Sequence, residues 1–275
     1  MTPNNLIKAL LPALKRQLGP EQGSLLALPQ NVLEVRRLCN EDDSSIGQVS
    51  SAVVQDPAFA GYLLQMANSA MYGFGWNECT RIEDSIKRLG LQRVAKTSLL
   101  YASRQLHQDQ HVPREMRPLL QTNWQRSWQL VKDASEAYWK RRGRLPEHHF
   151  PVAIADVLTA SVLYFSGALA ILSIAARESE LLAEHTDLPL ERTALLYNRG
   201  MLRSVLTLWG MGSDYAKGLA DLPVEGTSLC RNDFIRLALL NQPEIAIQLG
   251  FNMDTQEEWR ERLTELRMLQ PIKVA

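Results

Sequence analysis

Imidazoles, carboxylates and thiolates bind divalent metals and activate water against phosphoesters, so the spacing of these groups is the first place to look for chemistry. The chain has five histidines. His107 and His111 stand four apart, which on one helix would put both rings on one face, but Gln108, Gln110 and the approaching Pro113 mark a solvated, fraying helix end. His148 and His149 fall in the basic, proline-containing stretch KRRGRLPEHHFP, and His185 lies at the polar end of a helix. None is expected to ligate a metal, and no cofactor is implied. Cys39, Cys79 and Cys230 are odd in number, far apart and in no CxxC pattern, so neither a disulfide framework nor a zinc cluster is indicated and a reducing cytoplasm fits best. No Gly-rich phosphate loop, nucleophile elbow or paired acid–base motif is present.

Charge narrows the partners. Thirty basic residues balance thirty acidic ones, so nothing in the total charge draws the chain to nucleic acid or to acidic membranes. The local cluster Lys140, Arg141, Arg142 and Arg144 reads as solvated surface, and nucleic acid is disfavoured as a partner. The N-terminus MTPNNLIKALLPALKRQLG carries Leu6, Leu10 and Leu14 on one helical face and lacks the pattern of a signal peptide, so export is not expected. Val157 to Ala176 runs twenty residues without a charge, long enough for a bilayer. Thr159, Ser161, Ser166, Gly167 and Ser173 interrupt it and no second span lies beside it, so it is expected as buried core.

Apolar residues recur at spacings of three and four nearly everywhere and long β-branched alternation is absent, so the expected class is all-α. Ser44 or Ser45 can cap a helix carrying Ile46, Val49 and Val53 inward. Asp56 then suits a second N-cap and Pro57 the first helical position, ahead of a stripe of Phe59, Leu63, Met66 and Ala67. Asn68, Ser69, Gly73 and Gly75 close that helix into a loop. A helix from near Arg81, with Glu83 and Asp84 in its first turn, stops at Gly90, and another runs from about Gln92 to Leu106. Pro113 and Pro118 mark a break. A long helix holding Trp124, Leu130, Val131, Ala134 and Tyr138 follows, then the apolar run and two helices ending near Leu219. Residues 221–227 read as a linker to a tail of two short helices, the last opened by a Thr255/Glu258 capping-box spacing with Trp259, Leu263 and Leu266 on one face.

From roughly Leu28 to Trp209 the chain resembles the HDOD family, the HD-related output domain of bacterial signal transduction. That family's pattern is an aspartate–proline pair, an apolar helix ending in asparagine–serine, a loop, and a helix ending in leucine–glycine. Asp56 and Pro57 match the pair, Leu64 the helix, Asn68 and Ser69 its end, and Leu89 and Gly90 the final turn. Asn68 and Ser69 read either as a ligand- or partner-contacting turn or as a plain C-cap. The resemblance further implies a second lobe like the core of HD metal phosphohydrolases, with its metal ligands replaced. Arg126 in NWQRSWQL stands where a first histidine would fall. Tyr164 and Phe165 in VLYFSGALAI replace the histidine–aspartate pair while Gly167 survives, and Asn198 stands where a histidine is often kept.

With the break at Pro113 and Pro118 and the linker at 221–227, the resemblance leads to an expected two-lobed helical bundle: residues 1–115 as the N-terminal lobe, 116–225 as a degenerate HD-like lobe and 226–275 as a helical tail. It implies a non-catalytic signalling module whose partner is a signalling protein or small signalling ligand. The alternative is a metal-dependent phosphohydrolase acting on nucleotides or cyclic dinucleotides. A third reading, regulation of transcription or RNA through the basic stretch at Arg141 and Arg142, has less behind it. The terminal helix around Trp259 could pack on its own chain or on a second copy, making a homodimer.

Overall fold

A computed structural model of the chain describes residues 2–18, 30–73, 75, 77–107, 112–143, 151–178, 189–226, 228–266 and 268. All regular structure among them is helical, as the three-and-four spacing requires, and no strand is present among the described residues. The helices gather into two compact units: a smaller one, Ala27–Gln108, and a larger one that joins Met1–Leu26 to Asp109–Ala275.

The smaller unit holds α2 (Gln30–Asn40), α3 (Ile46–Val53), α4 (Pro57–Ala67), the single turn α5 (Ala70–Gly73), α6 (Ile82–Leu89) and α7 (Leu91–His107). Of the two serines offered as a cap, Ser45 opens α3. Its Oγ accepts from Gln48 N at 3.2 Å and its own N donates to Gln48 Oε1 at 2.8 Å, a reciprocal capping box. α2 lies on α7 and α3, and α4 packs on α6 and α7, which buries Val32, Val35, Val53, Phe59, Leu63 and Val94. Gly90 ends α6 at φ 78°, a left-handed position that favours glycine, and lets α7 begin one residue later.

The larger unit holds α1 (Pro3–Leu18), α8 (Arg117–Arg142), α9 (Ile154–Leu163), α10 (Ser166–Ala175), α11 (Leu190–Leu196), α12 (Asn198–Leu208), α13 (Ser213–Asp221), α14 (Arg231–Leu240), α15 (Pro243–Gln248) and α16 (Met253–Glu265). The uncharged run is spent on α9 and α10, which meet at Tyr164 and Phe165. Every residue of α10 is buried, because α1, α8, α11 and α12 all pack against it. Asp156–Ala175 is apolar enough to cross a membrane, with a mean hydropathy of 2.0, and 94% of its most apolar window lies inside the protein. Packing on all sides accounts for that composition.

Several expectations need correction. The amphipathic α1, assigned to the first lobe, belongs to the larger unit, where Leu6, Leu10 and Leu14 are buried and α1 packs on α10, α11 and α12. Residues 226–265 form no separate tail, since α14 packs on α8 and α9. Among the described residues, three helices, not two, follow the apolar run up to Asp221, and three more lie between Arg231 and Glu265.

The stretch expected as a linker is tied down by buried charge. Arg236 donates to the carbonyls of Leu222 and Pro223, and Arg262 donates to those of Gly226 and Ser228 at 2.8 Å each. Both guanidiniums meet Asp233 Oδ1, and Asp233 Oδ2 accepts from Cys230 N at 2.8 Å. These three residues are 1%, 5% and 0% exposed in the order Arg236, Arg262, Asp233. The last helix opens at Asn252, whose Oδ1 accepts from Thr255 N at 2.8 Å, so the cap lies three residues before the expected Thr255. Trp259 is fully buried against Phe251 of its own chain, with ring centroids 4.6 Å apart.

Candidate functional site

The Asp56–Pro57 pair is a junction of three helices. Asp56 Oδ1 accepts from Ala58 N and Phe59 N at 3.0 Å each, satisfying two of the orphan donors at the start of α4. Pro57 takes the first helical position, where its missing N–H costs nothing. The same carboxylate accepts from Asn31 Nδ2 of α2 at 3.2 Å and from Tyr101 OH of α7 at 3.1 Å. Neither Asn31 nor Tyr101 was legible as a partner, because 25 and 45 residues separate them from Asp56. Asp56→Ala is expected to cost about 2–3 kcal/mol, and Tyr101→Phe about 1 kcal/mol, in chemical denaturation. Equal losses would mean that the tyrosine, not the cap, dominates.

Asn68 and Ser69 are occupied by backbone. Asn68 caps α4 and pins the following loop: its Nδ2 donates to Cys79 O at 2.9 Å and its Oδ1 accepts from Cys79 N at 2.8 Å. Ser69 Oγ donates to Met66 O at 2.7 Å. Arg88 of α6, which sequence reasoning missed, reaches the same knot, donating to Ala67 O at 3.1 Å, to Asn68 Oδ1 at 3.3 Å and to Asn77 O. Leu64 is half-buried on α4. Leu89 and Gly90 stand apart from this knot. They border a cleft of about 640 Å³ that also involves Cys39, Asp42 and Arg93. Burial pushes the Cys39 thiol up to about 11, so it stays protonated and unreactive at neutral pH.

The four positions that the resemblance sets against HD metal ligands all lie in the larger unit. Arg126 of α8 is mostly covered and pairs with Glu191 of α11. Tyr164 and Phe165 are buried at the α9–α10 joint with their rings edge to face, centroids 5.5 Å apart. Burial pushes the Tyr164 phenol far above its usual range, so it is neutral. Asn198, at the start of α12, engages both polar atoms of its amide at that joint. Its Nδ2 donates to Tyr164 O at 3.0 Å, and its Oδ1 accepts at 2.8 Å from Ala168 N, an orphan donor in the first turn of α10.

Phe165 supplies no side-chain cap, so Asn198, thirty positions beyond Ala168, caps α10. Gly167 makes this possible: a Cβ there would sit 2.1 Å from Asn198 O and 2.6 Å from Leu202 N. Asn123 of α8, not singled out from sequence, adds a donation to Phe165 O at 3.4 Å. Arginine, tyrosine, phenylalanine and a fully engaged amide offer no imidazole or carboxylate for a metal. Among the described residues no group of three or more His, Cys, Asp or Glu side chains converges. His111, His148, His149 and His185 lie outside the described residues, as does the side chain of His107.

The HDOD domain family matches residues 25–211. A crystal structure from Shewanella amazonensis SB2B, described as a "Putative metal-dependent phosphohydrolase", is 22% identical, with a TM-score of 0.71 over 99% of this chain and 92% of that one. An HDOD domain protein of unknown function from Geobacter sulfurreducens is 17% identical, with a TM-score of 0.53 over 88% of this chain and 82% of that one. At these identities the two share the fold. An uncharacterized protein of Treponema pallidum is 32% identical over 75 residues, which is 27% of this chain and 14% of that relative.

Proposed function

Because the chain belongs to the HDOD family, we propose that it is a non-catalytic signal-transduction module that binds a partner protein or a small signalling ligand. One observation carries the reading. The four positions that the family resemblance sets against the metal ligands of HD hydrolases lie where helices meet, and both polar atoms of the Asn198 side chain are hydrogen-bonded there. Restoring a histidine at 198 would strip the cap from α10 before it gained a metal. The cleft beside Leu89 and Gly90 supports the binding half of the proposal, since its size suits a small ligand. The same proposal puts the module in the cytoplasm, with its input arriving through another molecule and with neither membrane nor nucleic acid as partner.

The test is elemental analysis of purified, tag-free protein together with phosphodiesterase assays in added manganese. The expected result is less than about a tenth of a metal per chain and no turnover. Near-stoichiometric manganese, iron or zinc with turnover would restore the phosphohydrolase reading and move the ligands to other residues.

A further inference from the structure

The longest helix turns two tryptophans to solvent. On α8, Leu130, Ala134 and Tyr138 are buried, whereas Trp128 and Trp139 are 55% and 48% exposed. Exposed tryptophans that share one face are uncommon outside interaction surfaces. At 100° per residue, positions 128 and 139 lie within about 20° of each other around the helix, roughly three turns apart. Gln125, Trp128, Lys132, Ser135, Trp139 and Arg142 follow one another at alternating spacings of three and four. That is the 3.5-residue repeat along which two helices stay in contact.

The charges on this face select its occupant. Lys132, Glu136 and Lys140 are exposed and alternate in sign, which is unlike the uniformly basic track that a nucleic acid needs. The pattern complements itself when reversed. About a two-fold axis crossing α8 near residue 134, an antiparallel copy brings Lys132 beside Glu136 of the partner subunit. It also sets Trp128 against Trp139 of the partner subunit. Glu136 pairs with Lys140 in the single chain, but both side chains are about two-thirds exposed, so the pair is weak and free to exchange. We propose that the outer face of α8 is an isologous interface between two copies of this chain.

This inference is independent of whether the HD positions are catalytic. A contact along about 18 Å of a single helix pair falls below the ~1,200–2,000 Å² buried by a stable interface, so dissociation in the micromolar range is expected. Sedimentation velocity of the full chain from about 1 to 200 µM should show a monomer–dimer equilibrium. Lys132→Glu and Glu136→Lys should each weaken it roughly tenfold or more, because each opposes like charges twice.

A 1:1 mixture of the two variants decides the matter, since the heterodimer regains both attractive pairs. Recovery of dimer in the mixture cannot come from a change within one helix. Trp128→Gln should also weaken the dimer, with the far-UV spectrum unchanged. A wild type that stays monomeric throughout, a mixture that stays monomeric, or a dimer indifferent to all three variants would overturn the proposal. So would a monomer whose tryptophan fluorescence is quenched by a single-stranded oligonucleotide.

Discussion

Gly167→Ala should destabilise the larger unit by about 3–5 kcal/mol, although the same exchange in a helix interior ordinarily gains about 1 kcal/mol. The sign reverses because α10 and α12 cross almost backbone to backbone at this residue. The new methyl would lie 2.1 Å from Asn198 O and 2.6 Å from Leu202 N, and neither atom is the end of a flexible side chain. To make room, α12 must withdraw, and Asn198 then loses both Tyr164 O and Ala168 N. Gly200→Ala, on α12 itself with nothing within 4 Å of the added carbon, is the matched control and should gain about 0.5–1 kcal/mol. Urea denaturation of the two variants checks both signs. A Gly167→Ala midpoint at or above that of wild type would mean that the helices part at no cost.

The second large effect is expected at Asp233. Asp233→Ala leaves the guanidiniums of Arg236 and Arg262 buried without their shared counter-ion, and losing one partner of a buried pair costs about 3–5 kcal/mol. The carbonyls of Leu222 and Pro223 still accept from Arg236 and those of Gly226 and Ser228 from Arg262, but carbonyl dipoles do not neutralise two charges. Adding Arg236→Met to Asp233→Ala removes one uncompensated charge, so the double variant should be more stable than Asp233→Ala alone. Denaturation of the single and double variants measures that coupling. Strict additivity of the two losses would show that the arginines act only as hydrogen-bond donors to the 222–228 segment.

These two sites also mark the boundary between what was legible in the sequence and what was not. Helical periodicity, a serine cap at 44 or 45, the Asp56 cap and the stop at Gly90 are local and were readable from residue types, although the choice of Ser45 over Ser44 was made by the folded chain. The identity of the groups at 126, 164, 165 and 198 is equally local, and it was enough to show that imidazole and carboxylate are missing from those positions. Tertiary structure decided what those groups do instead. Asn198 caps a helix that begins thirty-two residues earlier, Tyr101 closes on Asp56 across 45 residues, and α1 joins the C-terminal helices, not its sequence neighbours.

Residues 221–227 show the same division. Their composition is that of a linker, and only the folded chain brings Arg236, Asp233 and Arg262 together around their carbonyls. An amphipathic helix specifies which of its faces is buried but not which helix covers it, because many partners offer the same apolar stripe. Buried polar groups must nevertheless find hydrogen-bond partners once that choice is made. The sequence by itself therefore determined the all-helical class and the local helix ends at Asp56 and Gly90. Only tertiary packing decided which distant side chains meet, because that pairing depends on how helices cross and not on any spacing along the chain.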